Sequence, residues 1–233
     1  MFSQSVRYYD AIYSFKDYAA EAARLHTLLQ AAGCPDGATL LDVACGTGMH
    51  DQHLKACYRV EGLDIKPEFV AIARQRNPEL AYHTGDMLDF ALPERYGAIV
   101  CLFSSVGYLH TVEQLVTAVG NMARHLGPGG VLVVEPWLAP EVYRSGTLGA
   151  HFVDEPDLKI ARFSVNRLEG RCSVIDMHYM VATLEEVQTF VERHELMLFT
   201  HDEHLDAFRA AGLAVTHDEK GLTGRGLYTG VRM

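Results

Sequence analysis

The stretch LLDVACGTGMH, residues 40–50, decides the fold. Leu40, Leu41 and Val43 belong to a short apolar run, residues 38–44, of the kind that forms a strand buried on both faces. Gly46 and Gly48 follow it, where glycine lets the backbone turn sharply and lets a ligand approach closely. Residues 50–56 then read as a helix. Strand, glycine turn and helix in that order open a βαβ unit.

The same rhythm continues outward. Residues 58–64 (YRVEGLD) predict a second strand, and residues 67–76 a helix with Pro67 in its first turn and arginines at its end. A short third strand begins at Tyr82, and residues 98–103 (AIVCLF) form a fourth. Val112, Leu115, Val119, Met122 and Leu126 lie on one stripe of a helix over 112–126. The GPGG of 127–130 turns into a fifth strand, 131–135. Strands alternating with helices imply right-handed crossovers and a parallel sheet. Upstream, residues 16–32 read as a helix whose apolar repeat runs through Ala20, Ala23 and Leu28 and stops at Gly33. Downstream the rhythm changes. Residues 151–199 read as antiparallel strands, with 160–165 and 172–180 flanking the turn LEGR. Thr200 and Glu203 fit a capping box for a last helix, followed by two strands at 214–217 and 226–231. The expected organisation is one domain over 1–233. It comprises an N-terminal helical lid (1–35), a cofactor-binding core (36–140), an antiparallel side sheet over the acceptor site (141–199), and the last helix and strands of the core (200–233).

Composition narrows the partners. Twenty Lys and Arg against 30 Asp and Glu leave a net charge of −10, which disfavours a bulk grip on nucleic acid or an anionic membrane. No apolar run approaches the roughly 20 residues that span a bilayer, and the N-terminus has no secretory pattern. Five cysteines without a CxxC pair predict reduced thiols in a cytoplasmic protein and no metal cluster.

The acids carry the chemistry. A GxGxxG turn seats a pyrophosphate on a helix N-terminus, but Asp51 holds its third glycine position and Asp42 precedes the turn, where it would repel a pyrophosphate. A carboxylate there suits a ligand with a cationic amino-acid end, which favours S-adenosyl-L-methionine over NAD. Asp64, ending the second strand with Ile65 beside it, is placed to accept both ribose hydroxyls, unless it only caps the next helix. Asp86, in Gly85-Asp86-Met87, is placed to accept from the adenine amino group with Met87 reading a ring nitrogen; the plainer alternative is a turn residue. LFSS, residues 102–105 at the end of the fourth strand, offers a side chain to cover the adenine and a loop to face the acceptor. These places are carboxyl ends of strands, where open α/β sheets bind ligands.

KDYAAEA, LLDVACGTGMH, GDM, FSSVGYL, PGGVLVVEPW and GRGLYTG occur in that order. The chain thereby resembles the class I S-adenosylmethionine-dependent methyltransferases, and among them the bacterial N,N-dimethyltransferases of dTDP-linked 3-amino-deoxysugars. The resemblance implies a seven-stranded Rossmann-like sheet of order 3-2-1-4-5-7-6 with strand 7 antiparallel. It implies that Tyr9 and Tyr18 close over the cofactor and that Asp42, Ala44 and Gly46, with Gly48, hold its methionine end. Asp64 would take the ribose, and Asp86, Met87 and Leu102 the adenine. Tyr13, Ser105, Tyr108, Trp137 and Arg225 would face the acceptor. EPWLAPEVY lacks the second Trp that the sugar enzymes carry.

Methyl transfer from a sulfonium is an in-line displacement, so proximity and orientation carry much of the rate. A neutral amine needs no strong base, whereas a hydroxyl does; His110 is the candidate base and Tyr108 a group that orients an amine. Arg225, between Gly224 and Gly226, is able to fork onto a phosphate or carboxylate. The expected activity is N-methylation of a small amine such as an amino sugar nucleotide, with a homodimer as the candidate assembly. The alternatives are O- or C-methylation of another metabolite, or cofactor binding without catalysis.

Overall fold

The computed structural model describes residues 2–233; Met1, the first residue of the N-terminal segment, lies outside them. A 3₁₀ turn (Gln4–Tyr8) leads into α1 (Tyr9–Ile12) and α2 (Tyr18–Ala31). The core then alternates through β1 (Thr39–Val43), α3 (Asp51–Leu54), β2 (Arg59–Asp64), α4 (Pro67–Arg76), β3 (Ala81–Thr84), β4 (Tyr96–Cys101), α5 (Val112–Arg124) and β5 (Leu126–Val134). Four strands follow: β6 (Thr147–Asp154), β7 (Leu158–Glu169), β8 (Cys172–Thr183) and β9 (Val187–Met197). The chain returns through α6 (His201–Ala210), β10 (Leu213–Asp218) and β11 (Leu227–Arg232).

The core sheet has the order β3-β2-β1-β4-β5-β11-β10, with β11 antiparallel to both neighbours. In order of succession within that sheet this is 3-2-1-4-5-7-6, as expected. β1 is buried on both faces, which is why its sequence is almost continuously apolar. Leu41 and Val43 pack with the α5 and α6 side chains, while Leu40 packs with Ala22, Leu25 and Leu29 of α2. The α2 stripe is therefore Tyr18, Ala22, Leu25 and Leu29, with Leu28 partly buried beside it, whereas Ala20 and Ala23 of the expected repeat face solvent. Small alanines on both faces blur the 3.6 period, and the large residues decide it.

GPGG is not a turn outside the strand. Tyr96 pairs with Leu126 and Ala98 with Val131, so the glycines bulge out of a strand that has already begun. The helix α5 accordingly ends at Arg124, and Leu126 belongs to β5. The capping box at Thr200 forms in full, with the side chains of Thr200 and Glu203 each accepting from the other's backbone N–H.

The β6-β7-β8-β9 sheet is wholly antiparallel. Its central hairpin runs further than the sequence suggests. Glu169 pairs with Cys172, leaving a two-residue turn in which Gly170 takes φ +62°. Its inner face meets the N-terminal segment: Val153, Ile160, Tyr179, Val181 and Phe190 pack with Tyr8, Ile12 and Tyr13. No helix among the described residues is long and apolar enough to cross a membrane.

Candidate active site

Two adjoining cavities open at the carboxyl ends of β1, β2 and β4. The larger, about 310 Å³, is lined by Asp64, Ile65, Asp86, Met87, Tyr108 and Leu109 among others. The smaller, about 50 Å³, is lined by Tyr18, Asp42, Thr47, His50, Leu102 and Phe103 among others. Tyr9, Ala44, Gly46 and Ser105 line both and so mark the junction.

The glycine turn is built for approach. Ala44 and Gly46 take positive φ, and Gly46 has open space where a side chain would be. Gly48 is different. A Cβ there would lie 2.7 Å from the Tyr82 hydroxyl and 3.0 Å from Asn77, and Gly48 lines neither cavity. It is a packing glycine between the turn and β3, away from the walls of both cavities.

Asp64 crosses the mouth of the turn. Its Oδ2 accepts from the Gly46 N–H at 2.9 Å and its Oδ1 from the Lys66 N–H at 2.8 Å. Burial raises its pKa, and those two donors oppose the rise. Asp86 serves its turn and the cavity at once: Oδ1 accepts from the Leu88 N–H at 2.9 Å, and the residue lines the larger cavity with Met87. Leu102 does not join them. It lines the smaller cavity and packs in the core with Val100 and Leu227, so it covers the other end of the site. Apolar cover on the larger cavity comes instead from Phe69, Leu88 and Leu109.

Asp42 and Asp51 form a buried acid pair. Asp42 is 2% exposed and Asp51 0%, and one oxygen of each lacks a partner among the described residues. The Tyr82 hydroxyl donates to the other oxygen of Asp51 at 3.0 Å. Burial and the neighbouring acid push the Asp42 carboxyl well up, and burial raises Asp51 to about 6. A buried acid pair that carries negative charge, with an Asp42 oxygen free of donors on the wall of a small cavity, fits an ammonium group, which is the group the methionine end of the cofactor presents.

The N-terminal segment is latched over this mouth from two sides. Asp10 accepts from the Thr47 hydroxyl at 2.6 Å and pairs with Arg76. Glu192, 3% exposed on β9, accepts from the backbone N–H groups and hydroxyls of Ser3 and Ser5. Lys16 pairs with Glu21 at 2.8 Å and stands 4.0 Å over the Phe103 ring, while Glu21 also bonds His50. Tyr9 and Tyr18 thereby reach the cavities. Burial raises both their pKa values and keeps them neutral.

Tyr108 bonds His194 Nδ1 at 2.7 Å. His194 is 1% exposed, and burial pushes its pKa down to about 4, so it is neutral at physiological pH. Sequence reasoning missed Glu192 and His194. The signal was present: in β9 the inward positions are Phe190, Glu192, His194 and Leu196, two polar residues in an apolar register. His110 is exposed and lines the larger cavity beside Gln114, together with Asp64, Asp86 and Met87.

A second cluster gathers beside Phe103. The Arg225 guanidinium lies 4.8 Å from the Trp137 ring centre and 5.4 Å from that of Phe103, and it donates to the Ser104 hydroxyl at 2.9 Å. Burial lowers its pKa. Among the described residues no carboxylate lies within 4.0 Å of it, and the Trp137 Nε1–H is buried without a partner. Tyr13 packs edge-on against Phe103 at 5.2 Å, and Arg162 of β7 reaches the Tyr13 hydroxyl at 3.4 Å. Tyr13, Trp137 and Arg225 therefore lie together, while Ser105 and Tyr108 line the cavities next to them. No group of three or more His, Cys, Asp or Glu among the described residues is arranged to hold a metal ion.

Fold and site together define a class I S-adenosylmethionine-dependent methyltransferase. A family model described as a methyltransferase domain matches residues 40–130. The dTDP-3-amino-3,6-dideoxy-alpha-D-glucopyranose N,N-dimethyltransferase of Streptomyces fradiae is 43% identical over 93% of this chain and 85% of its own. The solved structure of Streptomyces venezuelae DesVI superposes with a TM-score of 0.93 at 40% identity, covering 100% of both chains. That of CalS10, an amino pentose methyltransferase solved with bound S-adenosylmethionine, from Micromonospora echinaspora, superposes with a TM-score of 0.88 at 36% identity, covering 100% of this chain and 98% of its own. The chain belongs to the family of the sugar N,N-dimethyltransferases.

Proposed function

We propose that this enzyme transfers methyl groups from S-adenosyl-L-methionine to the amino group of a dTDP-linked amino-deoxysugar. The observation that carries the acceptor class is the donor-only cluster of Arg225 and Trp137. A desolvated guanidinium without a carboxylate, beside an unpaired indole N–H, is a site for an anion such as a diphosphate. The named relatives in Streptomyces act on dTDP-amino sugars, which carry that group.

In this reading Asp42 takes the cofactor's ammonium, Asp64 its ribose, and Asp86 with Met87 its adenine. When bound, the cofactor supplies the electrophilic methyl. Tyr9, Ala44, Gly46 and Ser105, shared by both cavities, surround the place where that methyl would lie. Tyr108, its hydroxyl tied to neutral His194, orients the acceptor amine. An amine that arrives neutral needs no general base, and His110, exposed beside Gln114, is given no such role. The segment before α2 acts as the lid that excludes water, latched by Asp10 and Glu192.

The test is a mass-spectrometric screen with S-adenosylmethionine and sugar nucleotides bearing 3-amino or 4-amino groups. One- or two-methyl products are expected from at least one. Methylation confined to hydroxyl acceptors would overturn the reading.

We also propose a cytoplasmic homodimer that buries the outer face of the side sheet. Phe152, Phe163, Met180 and Val191 are each half or more exposed there. The strip runs across the strands between the Lys159–Asp154 pair at one end and Arg193–Asp176 at the other, so a twofold copy meets it with like surface and opposite charges within reach. Light scattering should give twice the chain mass, and Phe163→Glu should give the monomer; a monomeric wild type sinks the proposal.

A further inference from the structure

Glu135 is 0% exposed, directly after β5, and its backbone N–H continues the sheet onto the Cys101 carbonyl at 2.9 Å. Its side chain touches neither cavity. Oε2 accepts from the Phe103 N–H at 2.7 Å, and Oε1 accepts from the Thr223 hydroxyl at 2.5 Å. These two donors belong to the two loops that meet at Arg225.

The first loop is strained. Phe103 and Ser104 are consecutive non-glycine residues at φ +51° and +64°. Such a pair persists only when its surroundings over-determine it. Here the Glu135 bond to Phe103 and the Ser104 hydroxyl's bond to the Pro136 carbonyl at 2.7 Å do so. The result is that the Phe103 ring and the Ser104 oxygen both face the Arg225 guanidinium. The second loop joins β10 to β11. Gly224 and Gly226, at φ +85° and +86°, flank Arg225 and give it no side-chain support of their own. Its placement has to come from contacts outside the pair, and Thr223 supplies one, two residues away, by reaching Glu135. The Glu135 charge is also the largest influence opposing the effect of burial on Arg225.

We propose that Glu135 is a positioning residue for the acceptor. One buried carboxylate clamps the turn after β4 to the loop before β11, and so places Arg225 between Ser104, Phe103 and Trp137. A carboxylate accepts from both loops at once and sets its charge near Arg225; an amide would have one oxygen for the Phe103 N–H, would have to reverse the bond to the Thr223 hydroxyl, and would carry no charge. The proposal rests on the reading that Arg225 meets the acceptor's anion, and it adds what holds Arg225 in place.

Thr223→Val is the sharpest variant. It is nearly isosteric, sits on an exposed loop, and removes one arm of the clamp while leaving Glu135 and Arg225 intact. The acceptor KM should rise about tenfold with kcat and the affinity for S-adenosylhomocysteine within twofold, since a hydrogen bond to a charged group is lost. Thr223→Ser should restore it. In an Arg225→Ala background Thr223→Val should add nothing further. Trp137 is the single tryptophan, so its emission reads the Arg225 position without any acceptor. Thr223→Val and Glu135→Gln should shift that emission in the direction of Arg225→Ala. Unchanged emission and KM in Thr223→Val, or a full effect surviving in Arg225→Ala, would overturn the clamp. A wild type that turns over no amino sugar nucleotide, with the emission shift intact, would overturn the acceptor reading and leave the clamp standing.

Discussion

Acidifying the medium from pH 7 to pH 5 should weaken cofactor binding through the Asp42–Asp51 pair. Two fully buried carboxyls side by side cannot both ionise at neutral pH, so the pair holds one proton there and one negative charge. Its next proton goes on at about 6, the value to which burial raises Asp51. Below that the pair is neutral and the cofactor's ammonium loses its counter-charge. If only the singly charged pair binds, affinity falls by the factor 1 + 10^(6−pH), about 11-fold at pH 5 and about 1.1-fold at pH 7. Calorimetric titration with S-adenosylhomocysteine, which keeps the amino-acid end and transfers nothing, measures this directly. Asp51→Asn removes the second acid, so its affinity should change less than threefold over the same range. His50 also lines the smaller cavity and Asp64 lies nearby, but neither is altered in that variant. A wild-type change below threefold, or an equal slope in Asp51→Asn, would refute the shared-proton account.

Other outcomes follow from the same geometry. Arg225→Ala should raise the acceptor KM about 10- to 100-fold in steady-state kinetics and change the S-adenosylhomocysteine affinity less than twofold, because Arg225 itself lines neither cavity. Gly48→Ala should cost about 2 kcal/mol or more in a denaturant melt, since a Cβ at φ +72° meets the Tyr82 hydroxyl; a cost below 0.5 kcal/mol, roughly the noise of surface substitutions, would contradict the packing role. Burial holds the His204 pKa at about 3, below its unfolded value. The unfolded chain therefore takes up the proton first, and stability falls as pH drops below about 6.5, by about 2 kcal/mol at pH 5. Urea midpoints at pH 7 and 5 for the wild type and His204→Leu isolate it from the acid pair, which acts in the opposite sense.

Much of the lining of the two cavities was legible in the sequence because it is built from local rules. A strand buried on both faces must be apolar, the chain after it must turn through positive φ, and acids placed at strand ends fall where an open α/β sheet binds ligands. Asp42, Gly46, Asp64, Asp86 and Met87 come together for that reason. Gly48, which packs against Tyr82, and Leu102, which lines the smaller cavity rather than the larger, are placed by contacts the local pattern does not govern. There, Tyr82 of β3 and the core under β5 decide what a side chain meets, and neither is near in sequence.

The sequence by itself determined the alternation of strands and helices, the glycine turn, the Thr200 capping box and the acids at the strand ends, since each depends on residues within a few positions of one another; the strand order came from the family resemblance. Only the tertiary structure decided which distant groups share a proton or a counter-charge. Asp51 behind Asp42, Glu192 beneath Ser3 and Ser5, and Glu135 between Phe103 and Thr223 are pairings made by sheet topology. A carboxylate's role depends on the donors that folding brings within about 3 Å, and chain periodicity carries no record of them.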